Sequence, residues 1–376
     1  MTENKLLEIK YFKGLDILRF IAASCVVLHH ASQFINKKGF NIEANKYHIY
    51  SGSFFLDLFF VISGFLIALI LFKELDANKF NLKKFFVRRI LRIWPLFFLV
   101  VIVKVVLFPF MKGIELPEIL YNLKFAATFT TNFQLIFGEY FQSTYLILWS
   151  VCIEEHIYLL FPFLALLFKQ SRLVMISSLI VIGVFSLQYS DEIFSSSTNL
   201  SVPYFLSTSY LYYFGIGGLI VIAMTKYTKL FQKISDAACH WIIQVLIMGI
   251  GFALVFNTIT NVPYSKGFQI LLHGTFAAYL VFVAVSGNLI FDKFNLKTSR
   301  YLGNISYGMY LIHPMFLGIA FKLVIGRQIE VGLSKLTISY PFLAIAITIM
   351  IATILYYSVE KPFLKMKKKF AIVKSK

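Results

Sequence analysis

The chain has 376 residues, 59% of them apolar and only 14% charged, with a mean hydropathy of +0.76. Soluble domains carry about 45–50% apolar and about 25% charged residues, so this surplus excludes a single aqueous core and points to a bilayer as solvent. The net charge of +18 would suggest nucleic acid in a soluble protein; here it reads as Lys and Arg gathered in cytoplasmic loops, with no nucleic-acid partner.

A span needs about 20 mostly apolar residues, and one mid-span charge costs about 2.5–3.5 kcal/mol. Ionisable residues inside such runs therefore face a bundle interior or a wet cavity. The first run, 15–33, opens Gly14-Leu15-Asp16-Ile17-Leu18-Arg19 and carries His30. It shows no cleavable-signal pattern and is read as an uncleaved span. Eleven residues at 100° each bring Arg19 and His30 onto one helical face, about 16 Å apart along the axis. Asp16 lies one turn below Arg19, and His29 points away as a packing or interfacial residue.

The second run, 53–73, places Asp57 near its outer end, at a depth comparable to His30. A carboxylate there orients or charge-stabilises an imidazole, or else caps the helix start. The third, roughly 90–110, begins with Arg88, Arg89 and Arg92. Arg89 and Arg92 share a face at the cytoplasmic mouth and suit bidentate phosphate binding. Ordinary basic anchoring is the alternative, although Arg92 lies deeper than an anchor needs. Residues 115–145 are Thr- and Phe-rich but interrupted by Pro117, Glu118, Lys124 and Glu139, which predicts a surface or re-entrant helix.

The fourth run, 147–168, carries Trp149, Ser150, Glu154, Glu155 and Tyr158. Two adjacent carboxylates inside a span point 100° apart and take different jobs, or one forms a salt bridge to a buried Arg. Further runs are 172–189, 206–224, 239–257 and 267–286. The ninth, 304–325, holds Ser306, Tyr307, Tyr310 and His313 beside the kink-making Pro314; a lone histidine there is more often structural than catalytic. The tenth, 337–358, leads into Glu360-Lys361-Pro362-Phe363, where Glu360 faces Arg88 or Arg89 as a candidate partner.

Ten spans put both termini on one side. The loops on that side then hold 25 Lys and Arg against 8 on the other, which makes the basic side cytoplasmic. The expected fold is all-α: one integral membrane bundle of about ten transmembrane helices over 1–376. Its basic cytoplasmic tail, 359–376, includes Lys367, Lys368 and Lys369 and leans on anionic lipid heads. Cys25, Cys152 and Cys239 fit neither a zinc site nor a disulfide framework and read as small core residues.

Taken together these segments resemble the acyltransferase-3 family of membrane acyltransferases. The matching pieces are Arg19-x10-His30, Asp57 through Phe65, Arg89-x-x-Arg92, Trp149-Ser150 with Glu154-Glu155 and Tyr158, Ser306-Tyr307 with Tyr310 and His313-Pro314, and Glu360 through Phe363. They follow the family's order over nearly the whole chain. Two departures, Cys152 for Ser and His156 for Gln, affect local hydrogen bonding. The resemblance implies transfer of an acyl group, commonly acetyl, from cytoplasmic acyl-CoA to a hydroxyl of an extracytoplasmic glycan or lipid-linked sugar, with no metal. It implies His30 as the catalytic residue and the third-run arginines, Arg89 and Arg92, as contacts of the acetyl-CoA donor. Beside these, Asp57 and Glu154 are expected in the catalytic set, Arg19 on the donor side, and Trp149, Glu155, Tyr310 and His313 on the acceptor side. Family analogy places the chain in a bacterial plasma membrane. A non-enzymatic glycan exporter or flippase on the same helices is the alternative, and a membrane sensor or scaffold a third.

Overall fold

A computed structural model describes residues 8–9, 11–38, 52–138, 147–194, 201–238, 240–256, 265–286, 295–325 and 332–375. In hydrocarbon every backbone N–H and C=O needs an internal partner, so apolar runs of this length resolve as helices. In chain order these are α1 (Lys13–Lys37), α2 (Gly52–Asp76), α3 (Leu82–Met111), α4 (Leu116–Ala127), α5 (Thr131–Phe137), α6 (Leu148–Leu167) and α7 (Arg172–Ile193). There follow α8 (Ser207–Lys226), α9 (Thr228–Ala238), α10 (Trp241–Val255), α11 (Lys266–Ser286), α12 (Leu296–Ile325) and α13 (Gly332–Leu355). The described β-structure is a two-residue parallel pairing of Glu8–Ile9 with Lys374–Ser375.

Among the described residues nine helices are long and apolar enough to cross a membrane, and the bent pair α9–α10, meeting at 81°, makes up to a tenth. These fall on the ten expected runs. Two boundaries move. The Asn81 side chain accepts the Lys84 backbone N–H at 2.8 Å and starts α3 at Leu82, ahead of the expected start, so Arg88, Arg89 and Arg92 lie within its first turns. Likewise α12 begins at Leu296, ahead of the expected 304. The interrupted segment forms α4 and α5, joined by a turn in which Phe129 adopts φ 56°; its ring stacks on Phe97 at 4.5 Å. Residues 139–145 of that expectation, with Glu139, lie outside the described residues, as does Cys239. Cys25 and Cys152 are free thiols, the second buried.

The chain forms two compact units. One holds Phe60–Gln232 and Val359–Lys376 with the N-terminal residues through Tyr11; the other holds Phe12–Phe59 and Lys233–Ser358. In the second, α1 packs along α12, α13 and α11. Val27, Ala31 and Ile35 meet Leu317, Ala320, Val324, Tyr340 and Ala344 in a shared core. In the first, small residues set helix approach. A Cβ at Gly64 would sit 2.4 Å from the Phe214 carbonyl oxygen, and one at Gly217 2.3 Å from that of Val61. Membrane helices associate by close packing at such positions. Gly64→Ala and Gly217→Ala are therefore expected to lower the thermal midpoint in detergent by several degrees. Gly249→Ala, where the added carbon meets nothing within 4 Å, is expected to leave it unchanged.

Candidate active site

The candidate residues fall into two sets, one in each unit. In the second unit, His30 on α1 and His313 on α12 come together although 283 positions separate them. Their rings stack with centroids 5.0 Å apart, and His30 Nδ1 lies 2.8 Å from His313 Nε2. The sequence around His313 explains its pose. Pro314 has no N–H, so the carbonyl four residues back, that of Tyr310, loses its helical donor. His313 Nδ1 sits 2.7 Å from that carbonyl oxygen, which can only accept. Nδ1 of His313 therefore carries a proton.

A neutral His313 then has a bare Nε2, which accepts from His30 Nδ1–H. His30, also neutral, is left with its lone pair on Nε2. This assignment follows from the bonding network, and it leaves His30 in the tautomer that a general base needs. The Phe59 ring lies 5.9 Å from that of Tyr310, which closes the group. The lone histidine of the ninth run thus has a second imidazole as its partner.

Elsewhere in this unit Asp57 is buried and meets His273 of α11, with Oδ2 2.8 Å from Nδ1. Arg19 is half-buried on α1, on the face that carries His30. One turn below it, Asp16 lies against Gly303, where a Cβ would fall 2.3 Å from the carboxyl carbon. His29 bonds Gln33 at 2.9 Å.

In the first unit the three arginines of α3 part company. Arg88 is buried: one guanidinium nitrogen spans both oxygens of Glu74, at 2.7 and 3.0 Å, and the other donates to the Phe370 carbonyl at 3.0 Å. The Glu360 expected near it is also buried. Arg89 lies over the ring of Tyr158, 4.4 Å from its centroid. Arg92 is half-buried and makes no ion pair or hydrogen bond among the described residues.

On α6, Glu154 accepts from Ser63 at 2.7 Å and from the Tyr158 hydroxyl. Glu155, the neighbouring carboxyl, takes the Trp94 indole N–H at 3.4 Å. The two acids do point to different partners. Trp149 is buried among Tyr204, Phe205 and Tyr210, with centroids 4.9, 5.0 and 5.8 Å away. His156, one of the two departures, meets the Ser207 hydroxyl at 2.8 Å and stacks on Phe133.

Residues 12–357 match the family described as Acyltransferase domain. The chain belongs to that family. An O-acetyltransferase named OatA from Staphylococcus aureus (strain NCTC 8325 / PS 47) is 27% identical over 388 residues, covering 96% of this chain and 58% of that protein. A second Staphylococcus aureus protein (strain COL), whose name also carries the O-acetyltransferase label, is 25% identical over 379 residues, 96% of this chain and 59% of its own length. The chain thus spans less than two thirds of these relatives. No solved structure matches it significantly.

Sequence reasoning missed four side chains of this acyltransferase-family chain. Glu74 sits just past the second run and was read as loop. His273 lies inside the eighth run, where the rule that flags intramembrane charges would have found it. Lys104 is another, and Ser63, though part of the Asp57–Phe65 segment, was given no role. Among the described residues no group of three or more His, Cys, Asp or Glu is placed to hold a metal ion.

Proposed function

We propose that this chain is a membrane O-acyltransferase, moving an acyl group, acetyl in the first instance, from cytoplasmic acyl-CoA to a hydroxyl of an extracytoplasmic glycan or lipid-linked sugar in a bacterial plasma membrane. The observation that carries the reading is the His30–His313 pair with its tautomer set by the Tyr310 carbonyl. His30 Nε2 takes the proton of the acceptor hydroxyl as its oxygen attacks the thioester carbonyl. The tetrahedral intermediate collapses, the C–S bond breaks, and the departing thiolate takes the proton back from the imidazolium. His313 holds Nδ1–H throughout, which steadies the imidazolium as it forms. Asp57, with His273, is proposed to support the charge in this unit, and Glu154 is proposed as a catalytic carboxylate of the first unit. Tyr310, Trp149 and Glu155 are proposed on the acceptor side.

Arg89 and Arg92 of the first unit are proposed to receive the donor, and Arg19 is proposed as a donor-side residue of the second. A half-buried guanidinium such as that of Arg92, with no partner among the described residues, matches a phosphate of coenzyme A. Both termini are proposed to be cytoplasmic. The pairing of Glu8–Ile9 with Lys374–Ser375 supports ends on one side, hence an even number of crossings with α9–α10 as one of them. The loop charge of 25 against 8 supports which side.

The test is turnover of labelled acetyl-CoA by the purified chain in detergent or vesicles with a glycan acceptor. An exporter would leave the thioester intact. Arg92→Glu is expected to raise the donor KM roughly 10- to 100-fold, since a charged hydrogen bond contributes about 1.5–3 kcal/mol, while Arg92→Lys recovers part of it. An unchanged donor KM in Arg92→Glu removes that residue from the donor site.

A further inference from the structure

Lys104 belongs to none of the sets above. It lies in α3 where the helix widens into a π turn over Ile102–Leu107, a distortion that concentrates at functional sites. Ile102, Leu107 and Phe108 are exposed on the apolar outside of the helix, whereas Lys104 is 2% exposed. Its amine is not snorkelling to a lipid boundary. Among the described residues Nζ has no hydrogen-bond partner. Glu74 is engaged with Arg88, Asp76 with Arg172, Glu154 with Ser63 and Tyr158, and Asp191 with the Val202 N–H, and neither Glu115 nor Glu118 at the start of α4 hydrogen-bonds the amine.

An interior cation without a counter-ion costs several kcal/mol, so a built position of this kind calls for an anion from outside the chain. Lys104 is twelve residues beyond Arg92, about 18 Å further along the axis, so it belongs to the opposite end of α3 from the arginine cluster. Helix α4 packs over the π turn. Its buried Asn122 accepts from Gln134 of α5 at 2.5 Å, which ties α5 to the same region. On α5 the Oδ1 of buried Asn132 has no donor among the described residues. The amine lacks an acceptor, and the charged group of an anionic sugar or phosphate supplies one.

The geometry points to Lys104 as the cation of an anion-binding subsite on the outer side of the first unit, taking a carboxylate or phosphate carried by the glycan acceptor or by a phospholipid. This rests on the acyltransferase reading for the identity of the acceptor, but its test does not need activity. The full chain in detergent is melted with and without glucuronic acid, glucose 1-phosphate, glucose, phosphatidylglycerol or phosphatidylcholine. In the wild type at least one anionic probe is expected to raise the midpoint by several degrees, with its neutral counterpart inert. In Lys104→Met, which keeps the length of the side chain and removes the buried charge, that shift is expected to vanish, and in Lys104→Arg to persist in part. A sugar-acid or sugar-phosphate shift assigns the subsite to the acceptor, and a shift with phosphatidylglycerol alone assigns it to lipid. Equal shifts in wild type and Lys104→Met, or no shift with any anionic probe, overturn the proposal. Absence of thioester turnover in the wild type would instead count against the acyltransferase reading.

Discussion

Replacing His30 by Ala is expected to lower acyl transfer roughly 10²–10⁴-fold, the range that a positioned general base contributes, while the protein still inserts and melts as the wild type does. The side chain is half-buried on α1, and its removal leaves the α1–α12–α13 core of Val27, Ala31, Ile35 and Leu317 intact. His313→Ala is the sharper probe. It takes away the acceptor of His30 Nδ1–H, so that either nitrogen of His30 can carry the proton. Its kcat is expected to fall between wild type and His30→Ala, with the donor KM unchanged. His313→Gln offers an amide oxygen that accepts the same N–H, and is expected to recover much of the loss. Turnover of labelled acetyl-CoA in vesicles measures all three. Transfer retained in His30→Ala would sink the mechanism; a His313→Gln as poor as His313→Ala would confine His313 to packing.

That pair marks the border of what the sequence reveals. Helical period and residue type are local, so the common face of Arg19 and His30 follows from a spacing of eleven and a turn of 100°. The freed carbonyl of Tyr310 is likewise readable from Pro314. What joins His30 to His313 is the packing of α1 on α12, and no spacing along the chain encodes which helices meet. Asp57 shows the same limit: its depth in the run does not foretell its bond to His273 on α11. The ten hydrophobic runs were legible because the bilayer imposes their length. The start of α3 was not, because an Asn81 cap extends a polar, basic stretch into helix.

The arginines of α3 carry the same lesson into energetics, and they yield the second large expected effect. Arg88, Arg89 and Arg92 are alike in sequence, yet Arg88 is already committed to Glu74 and to the Phe370 carbonyl. Glu74 is fully buried. Removing one partner of such a pair leaves an uncompensated interior charge, a loss of about 3–5 kcal/mol. Arg88→Met is therefore expected to unfold or strip the protein from the membrane fraction, whereas Arg92→Glu spares the fold and affects the donor. Combining Glu74→Leu with Arg88→Met removes both charges together. It is expected to restore most of the thermal midpoint, because a buried ion pair replaced by apolar groups is often neutral or better. The tail, deprived of its bond at Phe370, is expected to become more open to protease in the double variant. If Arg88→Met melts like the wild type, Arg88 carries no structural charge and rejoins Arg89 and Arg92 as a candidate for the donor phosphates.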